Sequence, residues 1–249
     1  GPYNYDVEGG EYSSGLDEDG ALLAPESRWA GVVRQIDNND FETANIEFLE
    51  FWMMDPFIEN PLDAGGDFYI NLGNVSEDIL KDSRKSYENG LPIDGGDDNI
   101  DTTAWGRVPS VQALVTAFNS GGSARDNQDV GLDGLDDEME RDFVPFSDFE
   151  TSSYLDRIRD QYGEGSVAFI KANKDPSADN YHFYYGTDYD SQEKPILDRY
   201  KKYNGLDGNS PMDDDSQSSY TQLPNVEDIN NDYTLSESES YYQYRISMD

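Results

Sequence analysis

The chain has no cysteine and a single histidine, His182. Without cysteine there can be no disulfide framework, thiolate metal site or cysteine nucleophile. With one histidine, multi-histidine zinc sites and most Ser-His-acid triads are excluded too. Basic residues are scarce: 17 Lys and Arg face 53 Asp and Glu, a formal net charge of −36 over 249 residues. Phosphate recognition needs a Lys/Arg footprint, so nucleic acid is a poor partner and direct docking on anionic lipid is disfavoured. Hydrophobic residues make up only 35%, low for a globular chain. No apolar run approaches the ~20 residues a membrane-spanning helix needs. The best, Phe48 to Met54, is interrupted by Glu50.

What is present points to a folded domain with long polar loops. Aromatic content is 13%, with 18 Tyr and 11 Phe, whereas disordered acidic chains are poor in aromatics. A net charge this large repels itself and opposes compaction. Bound divalent cations are the natural offset, so structural Ca²⁺ is the expected cofactor and no organic cofactor is expected.

The opening Gly1-Pro2 reads as a protease-cleavage scar, and residues 1–28 as that scar plus a flexible lead-in. Residues 29–249 read as a single extracytoplasmic domain. It is strand-rich over 29–75 and helix- and loop-rich over 76–224, with a cation-type loop and final strand over 225–249. Strands are predicted at Trp29 to Ile36, Ile46 to Asp55, Asp67 to Leu72, Ser166 to Lys171 and Ser240 to Ser247. The Ile46 to Asp55 run is apolar on both faces, as in a covered central strand. Helices are predicted from Ser76, an N-cap followed by Glu77 and Asp78, to a stop at Gly90-Leu91-Pro92. Others are predicted at Ser110 to Phe118, Asp136 to Phe146, Tyr154 to Tyr162 and Pro195 to Tyr203.

Two segments have the oxygen-ligand spacing of an EF-hand-like calcium loop. In Asp228 to Glu239 (DINNDYTLSESE), Asp228, Asn230, Asp232, Thr234, Ser236 and Glu239 fall at positions 1, 3, 5, 7, 9 and 12. Position 6 is Tyr233 where such a loop wants glycine, so the turn would be strained or differently shaped. The other reading of this stretch is a solvated acidic turn. In Asp129 to Glu140 (DVGLDGLDDEME), Asp129, Asp133, Asp137 and Glu140 fall at positions 1, 5, 9 and 12, with Gly134 at position 6, but position 3 is Gly131 and offers no side-chain oxygen. Its other reading is the acidic first turn of a helix starting near Asp136. Asp175 to Asp190 mixes carboxylates with aromatics, as a cation-stabilised loop or a Tyr-rich binding surface would.

His182, between Tyr181 and Phe183, reads as a packing residue. The chain has no G-x-S-x-G elbow, P-loop or dinucleotide fingerprint. With 53 acids, a carboxylate pair for glycoside hydrolysis carries no signal. The chain is expected not to be an enzyme.

Four segments together resemble one family: Asn38 to Phe57 (NNDFETANIEFLEFWMMDPF), Gly66 to Pro92 (GDFYINLGNVSEDILKDSRKSYENGLP), Lys174 to Tyr181 (KDPSADNY) and Glu227 to Tyr244 (EDINNDYTLSESESYYQY). They resemble the SprA/Sov proteins, the outer-membrane translocons of the Bacteroidetes type IX secretion system, also needed for gliding motility. The resemblance implies a non-catalytic part of a protein-export machine in the outer membrane. Its partners would be other outer-membrane and periplasmic secretion components and exported cargo, with membrane contact only through the parent barrel. Long excursions of outer-membrane barrels are normally extracellular, which favours a cell-surface position over a periplasmic one. IEFLEFWMMDPF and GDFYINLGN also resemble the paired central strands of a galactose-binding-like jelly roll, a fold that often holds structural Ca²⁺. The expected fold is therefore α+β and β-rich: a jelly-roll-like β-sandwich with helical insertions and long acidic loops. A carbohydrate-binding module of a cell-surface protein is the alternative function, and an acid-pair hydrolase a third.

Overall fold

The computed structural model describes residues 15–23, 31–53 except 39, 65–145 except 122 and 123, 151–203 except 183, and 223–248. The chain divides into two compact units. Unit 1 contains residues 1–23 and 78–228, and unit 2 contains residues 24–77 and 229–249. In the sequence, most of unit 1 is thus carried between the two segments of unit 2.

Unit 2 is built on one antiparallel ribbon. Strand β1 (Asp67–Asn74) pairs with β4 (Ser240–Ser247), with Asp67 opposite Ser247 and Asn74 opposite Ser240. The first was legible from the alternation of Phe68, Ile70 and Leu72, the second as a Tyr-rich run. Phe68, Ile70 and Leu72 share one face of β1, and their partners across the ribbon are Ile246, Tyr244 and Tyr242. The Phe51 ring packs on Phe68 with centroids 5.4 Å apart.

The strands predicted at 29–36 and 46–55 do not form over their described residues, 31–36 and 46–53. That segment is irregular around a turn at 41–45, where Asp40 accepts the Thr43 backbone N–H at 2.9 Å and Ile46 N–H donates to the Phe41 carbonyl at 2.9 Å. Phe48 and Trp52 are 83% and 98% exposed, so over its described residues the run that read as a covered central strand is neither covered nor a strand. No jelly-roll sandwich exists among the described residues. The sheets there are the β1–β4 ribbon and a hairpin of β2 (Ile100–Thr102) with β3 (Arg107–Pro109). The α+β mixture is present; the β-rich sandwich is not.

Unit 1 carries the helices: α1 (Ala124–Gln128), α2 (Asp137–Asp142), α3 (Tyr154–Tyr162), α4 (Val167–Lys174), α5 (Thr187–Ser191) and α6 (Ile196–Tyr200). Its apolar core is small. Tyr154, Leu155 and Ile158 of α3 pack on Ala168 and Ala172 of α4, with Leu16, Tyr162 and Phe169 at the margin. Helix α3 begins at a capping box in which Ser153 Oγ accepts from Asp156 N–H and Asp156 accepts from Ser153 N–H. It ends at Gly163, φ 85°, whose N–H donates to the Arg159 carbonyl at 2.7 Å.

Helix α4 occupies the stretch predicted as a strand. Val167 and Ile170 suggested β structure, but Ser166 Oγ caps the helix by accepting Phe169 N–H at 3.1 Å. Ala168 and Ala172, one turn apart, then let α4 approach α3 closely. No helix among the described residues is long and apolar enough to cross a membrane.

The helix predicted after Ser76 is also absent. Asp78 accepts the N–H groups of Asp82 and Ser83 at 3.1 and 3.0 Å. In a helix the first of these would go to the Asp78 backbone carbonyl, so the side chain has replaced the helical bond with a local loop. Lys81 and Ser83 turn to positive φ, 55° and 57°. Residues 110–118 are irregular as well.

Candidate metal centre

Several carboxylates of unit 1 are buried, and they fall into two kinds. The first kind is saturated with backbone donors. Glu227, fully buried, accepts the N–H groups of Ile79, Leu80 and Ser86 at 3.1, 3.1 and 2.9 Å. Glu88 accepts from Gly131 N–H at 2.8 Å and from Asn225 N–H. Around them the chain pairs as a short antiparallel bridge: Glu88 N–H donates to the Asn225 carbonyl, Glu227 N–H donates to the Ser86 carbonyl, and Tyr87 lies opposite Val226. Burial raises Glu227 from the usual carboxyl value to about 7 despite its three donors. Burial and then the Asp129 charge push Glu88 well above its ordinary range.

The second kind is a cluster contributed by the 131–140 segment and the 175–179 loop. Asp133, Glu140 and Asp179 each offer a carboxylate oxygen, and these oxygens lie within 4.8 Å of one another. Asp137, Asp175 and Asp179 form an adjoining triad by the same measure. Gly131 and Gly134, both at positive φ (76° and 68°), shape the turn that delivers Asp133. Arg107 N–H donates to the Asp133 carbonyl at 2.7 Å, anchoring this turn to β3. Asp136 then caps α2 by accepting Met139 N–H at 2.8 Å, and α2 presents Glu140 one turn on.

Ser177 bridges the two segments. Its N–H donates to Glu140 Oε2 at 3.2 Å and its hydroxyl to Asp133 Oδ2 at 3.1 Å. The other Glu140 oxygen, Oε1, is buried with no hydrogen-bond partner. Burial, then the charges of Asp179 and Asp133, push the Glu140 carboxyl up to about 10. Burial, then Asp133 and Asp175, push Asp179 up to about 8. The adjoining pair is better served. Asp137 accepts from the Asn180 amide at 3.0 Å, and Asp175 from Lys202 Nζ at 2.5 Å.

The four sequence candidates of this segment thus meet different fates. Asp133 and Glu140 come together, and Asp137 stands in the neighbouring triad. Asp129 is instead held by Arg125, whose Nε donates to Asp129 Oδ2 at 2.8 Å. The cluster is completed by Asp175 and Asp179, which sequence spacing did not single out as ligands. The only sign of them was the mixed carboxylate stretch that begins at Asp175.

The second sequence candidate is distributed differently. Asp228 belongs to unit 1, and Asn230, Asp232, Thr234, Ser236 and Glu239 to unit 2. Within unit 2, Asn230 Oδ1 accepts Asp232 N–H and Asp232 Oδ1 accepts Thr234 N–H, both at 2.8 Å. Their side chains therefore serve the loop's own backbone. Glu239 accepts from Ser76 N–H at 3.4 Å. Glu77, from outside the loop, accepts from Ser236 N–H at 3.1 Å. Tyr233, where glycine was wanted, does adopt a positive φ of 68°.

His182 is buried against α5. Its ring stacks on Tyr189 with centroids 3.9 Å apart, and Nε2 lies 2.8 Å from Asp188 Oδ2.

Residues 153–249 match a family model described as motility related/secretion protein. The family is SprA_N, and over these residues the match supports the SprA/Sov resemblance read from KDPSADNY and EDINNDYTLSESESYYQY. The matched stretch runs from the cap of α3 to the end of the chain and includes Asp175 and Asp179. No curated protein matches the chain.

Proposed function

We propose that this chain is a non-catalytic, extracytoplasmic part of an outer-membrane protein-secretion translocon, where it serves protein export and gliding motility by docking partner proteins or cargo. The observation that carries the reading is the motility and secretion family match over residues 153–249. The chemistry of the chain is in keeping with it. A net charge of −36 keeps a surface soluble and turns away nucleic acid and anionic lipid. Apolar side chains on the β1–β4 ribbon, such as Tyr242, Tyr244 and Ile246, lie exposed in unit 2. The partners are other outer-membrane and periplasmic secretion components and transiting cargo, and the position is the cell surface.

The test is removal of the matching segment from the full-length parent protein in a gliding bacterium, at unchanged expression. The expected result is loss of cargo from the medium and loss of gliding. Normal export and gliding would overturn the reading. Antibody labelling of the segment on intact cells checks its side of the membrane, with labelling expected.

A carbohydrate-binding module is the second reading, favoured by Tyr242 and Tyr244, 77% and 55% exposed on one face of β4. Glycan-array binding that disappears in Tyr242→Ala would support it over the docking role.

A further inference from the structure

We propose that unit 1 binds a calcium ion between Asp133, Glu140 and Asp179. The inference is independent of the export reading. Two other buried glutamates of unit 1 are well supplied: Glu227 takes three backbone N–H groups and Glu88 takes two. Glu140 is only 1% exposed, yet its Oε1 has no partner. A buried anion with an open oxygen is costly unless a cation meets it. Ser177 N–H serves only Oε2, and the neighbouring Asp133 and Asp179 bring more negative charge.

The geometry fits an ion. Oxygens bound to one Ca²⁺ at about 2.4 Å can be no further apart than twice that bond, about 4.8 Å. The three carboxylates meet that limit mutually. The donors are all oxygen, with neither cysteine in the chain nor the sole histidine in the group, so a hard cation is selected over zinc. Mg²⁺ keeps most of its waters and uses one or two carboxylates, whereas Ca²⁺ accepts several at once. Asp137 and Asp175 are engaged by Asn180 and Lys202, and the buried open oxygen belongs to Glu140, which favours the Asp133–Glu140–Asp179 triad as the binding point. Ser177 holds two of its members in place through its N–H and hydroxyl. An ion here would tie the 131–140 segment to the 175–179 loop.

The experiment is calorimetric titration of Ca²⁺ into the chelator-stripped full chain. The expected result is saturable binding, weakened at least tenfold by Glu140→Gln and by Asp179→Asn. The control Asp97→Asn/Asp98→Asn, in an exposed acidic loop, should leave it unchanged. Absence of saturable binding, or equal affinity in the cluster variants, would overturn the proposal, as would equal loss in the control. Should the cluster variants not fold, Tb³⁺ luminescence decides. Tyr181 lies close enough to feel the charges of Asp179 and Asp133, so it should sensitise Tb³⁺ that Ca²⁺ displaces. Tyr181→Phe, which keeps every carboxylate, should then lower the emission. Unchanged emission would count against the site.

Discussion

Glu88 and Glu227 each secure the other's stretch of chain: Glu88 accepts the backbone N–H of Asn225, and Glu227 accepts that of Ser86. Two carboxylates thus stand where main-chain carbonyls would stand in a sheet. Much of the acid in this sequence is surface charge, but part of it is structural material. It satisfies buried N–H groups in a unit whose apolar core is small.

Removing such an acceptor should be expensive. Glu227→Ala would leave the N–H groups of Ile79, Leu80 and Ser86 without their acceptor. Each buried orphan costs about 1–3 kcal/mol, so the loss read by urea unfolding should exceed that of an ordinary surface substitution severalfold. Glu227→Gln keeps one acceptor oxygen and should lose less.

The same residue predicts a pH dependence. Burial lifts the Glu227 carboxyl from 4.5 to about 7 in the folded protein. A raised folded value means the native state holds the proton more tightly, so this contribution is complete below the unfolded value. It is lost as pH climbs through about 7. Unfolding midpoints measured from pH 4 to 8 should fall less steeply in Glu227→Gln than in the parent chain. Coincident slopes would show that the group titrates normally.

Two glycines separate strain from collision. At Gly163, φ 85° and ψ 157°, a Cβ meets nothing within 4 Å, so Gly163→Ala should cost only the backbone strain of a region almost reserved for glycine, about 1–3 kcal/mol. At Gly134, φ 68°, a Cβ would run into the Arg107 carbonyl. Gly134→Ala should therefore be the more damaging change by thermal unfolding, and should displace the turn that carries Asp133.

The helical core can be probed by contrast. Ile158 is fully buried between α3 and α4, and Ile196 of α6 is 59% exposed. Ile158→Ala should cost about 2–5 kcal/mol. Ile196→Ala should fall within about 0.5 kcal/mol of the parent chain.

Local grammar was legible where the side chains obeyed it. Helix α3 spans the predicted Tyr154 to Tyr162, β1 follows its alternation, and β4 is the Tyr-rich run at Ser240 to Ser247. The failures share a cause. Glu77 and Asp78 read as first-turn helix acids, but their carboxylates bind loop N–H groups instead: Asp78 those of Asp82 and Ser83 just ahead of it, Glu77 that of Ser236, which only the tertiary fold brings near. The apolar run at 46–53 promised a covered strand, yet no partner ladder reaches it among the described residues. At the acidic cluster, Asp133, Asp137 and Glu140 were visible from spacing. Asp179 was not, because it lies about forty residues further along the chain and joins them only when α2 and the 175–179 loop are folded together.

The β1–β4 ribbon sets an order of events. Arg245 meets Asp67 across 178 residues of chain, whereas α3 and α4 are sequence neighbours. Contacts so distant along the polymer form slowly, because closing the long loop costs entropy before any pairing rewards it. Helices α3 and α4 can pair while their own residues are emerging, but Glu88 must wait for Asn225, and β1 waits longest for its mate. For a chain delivered end-first through a narrow passage, the ribbon would be the last part to close, leaving the backbone edges of β1 open until then.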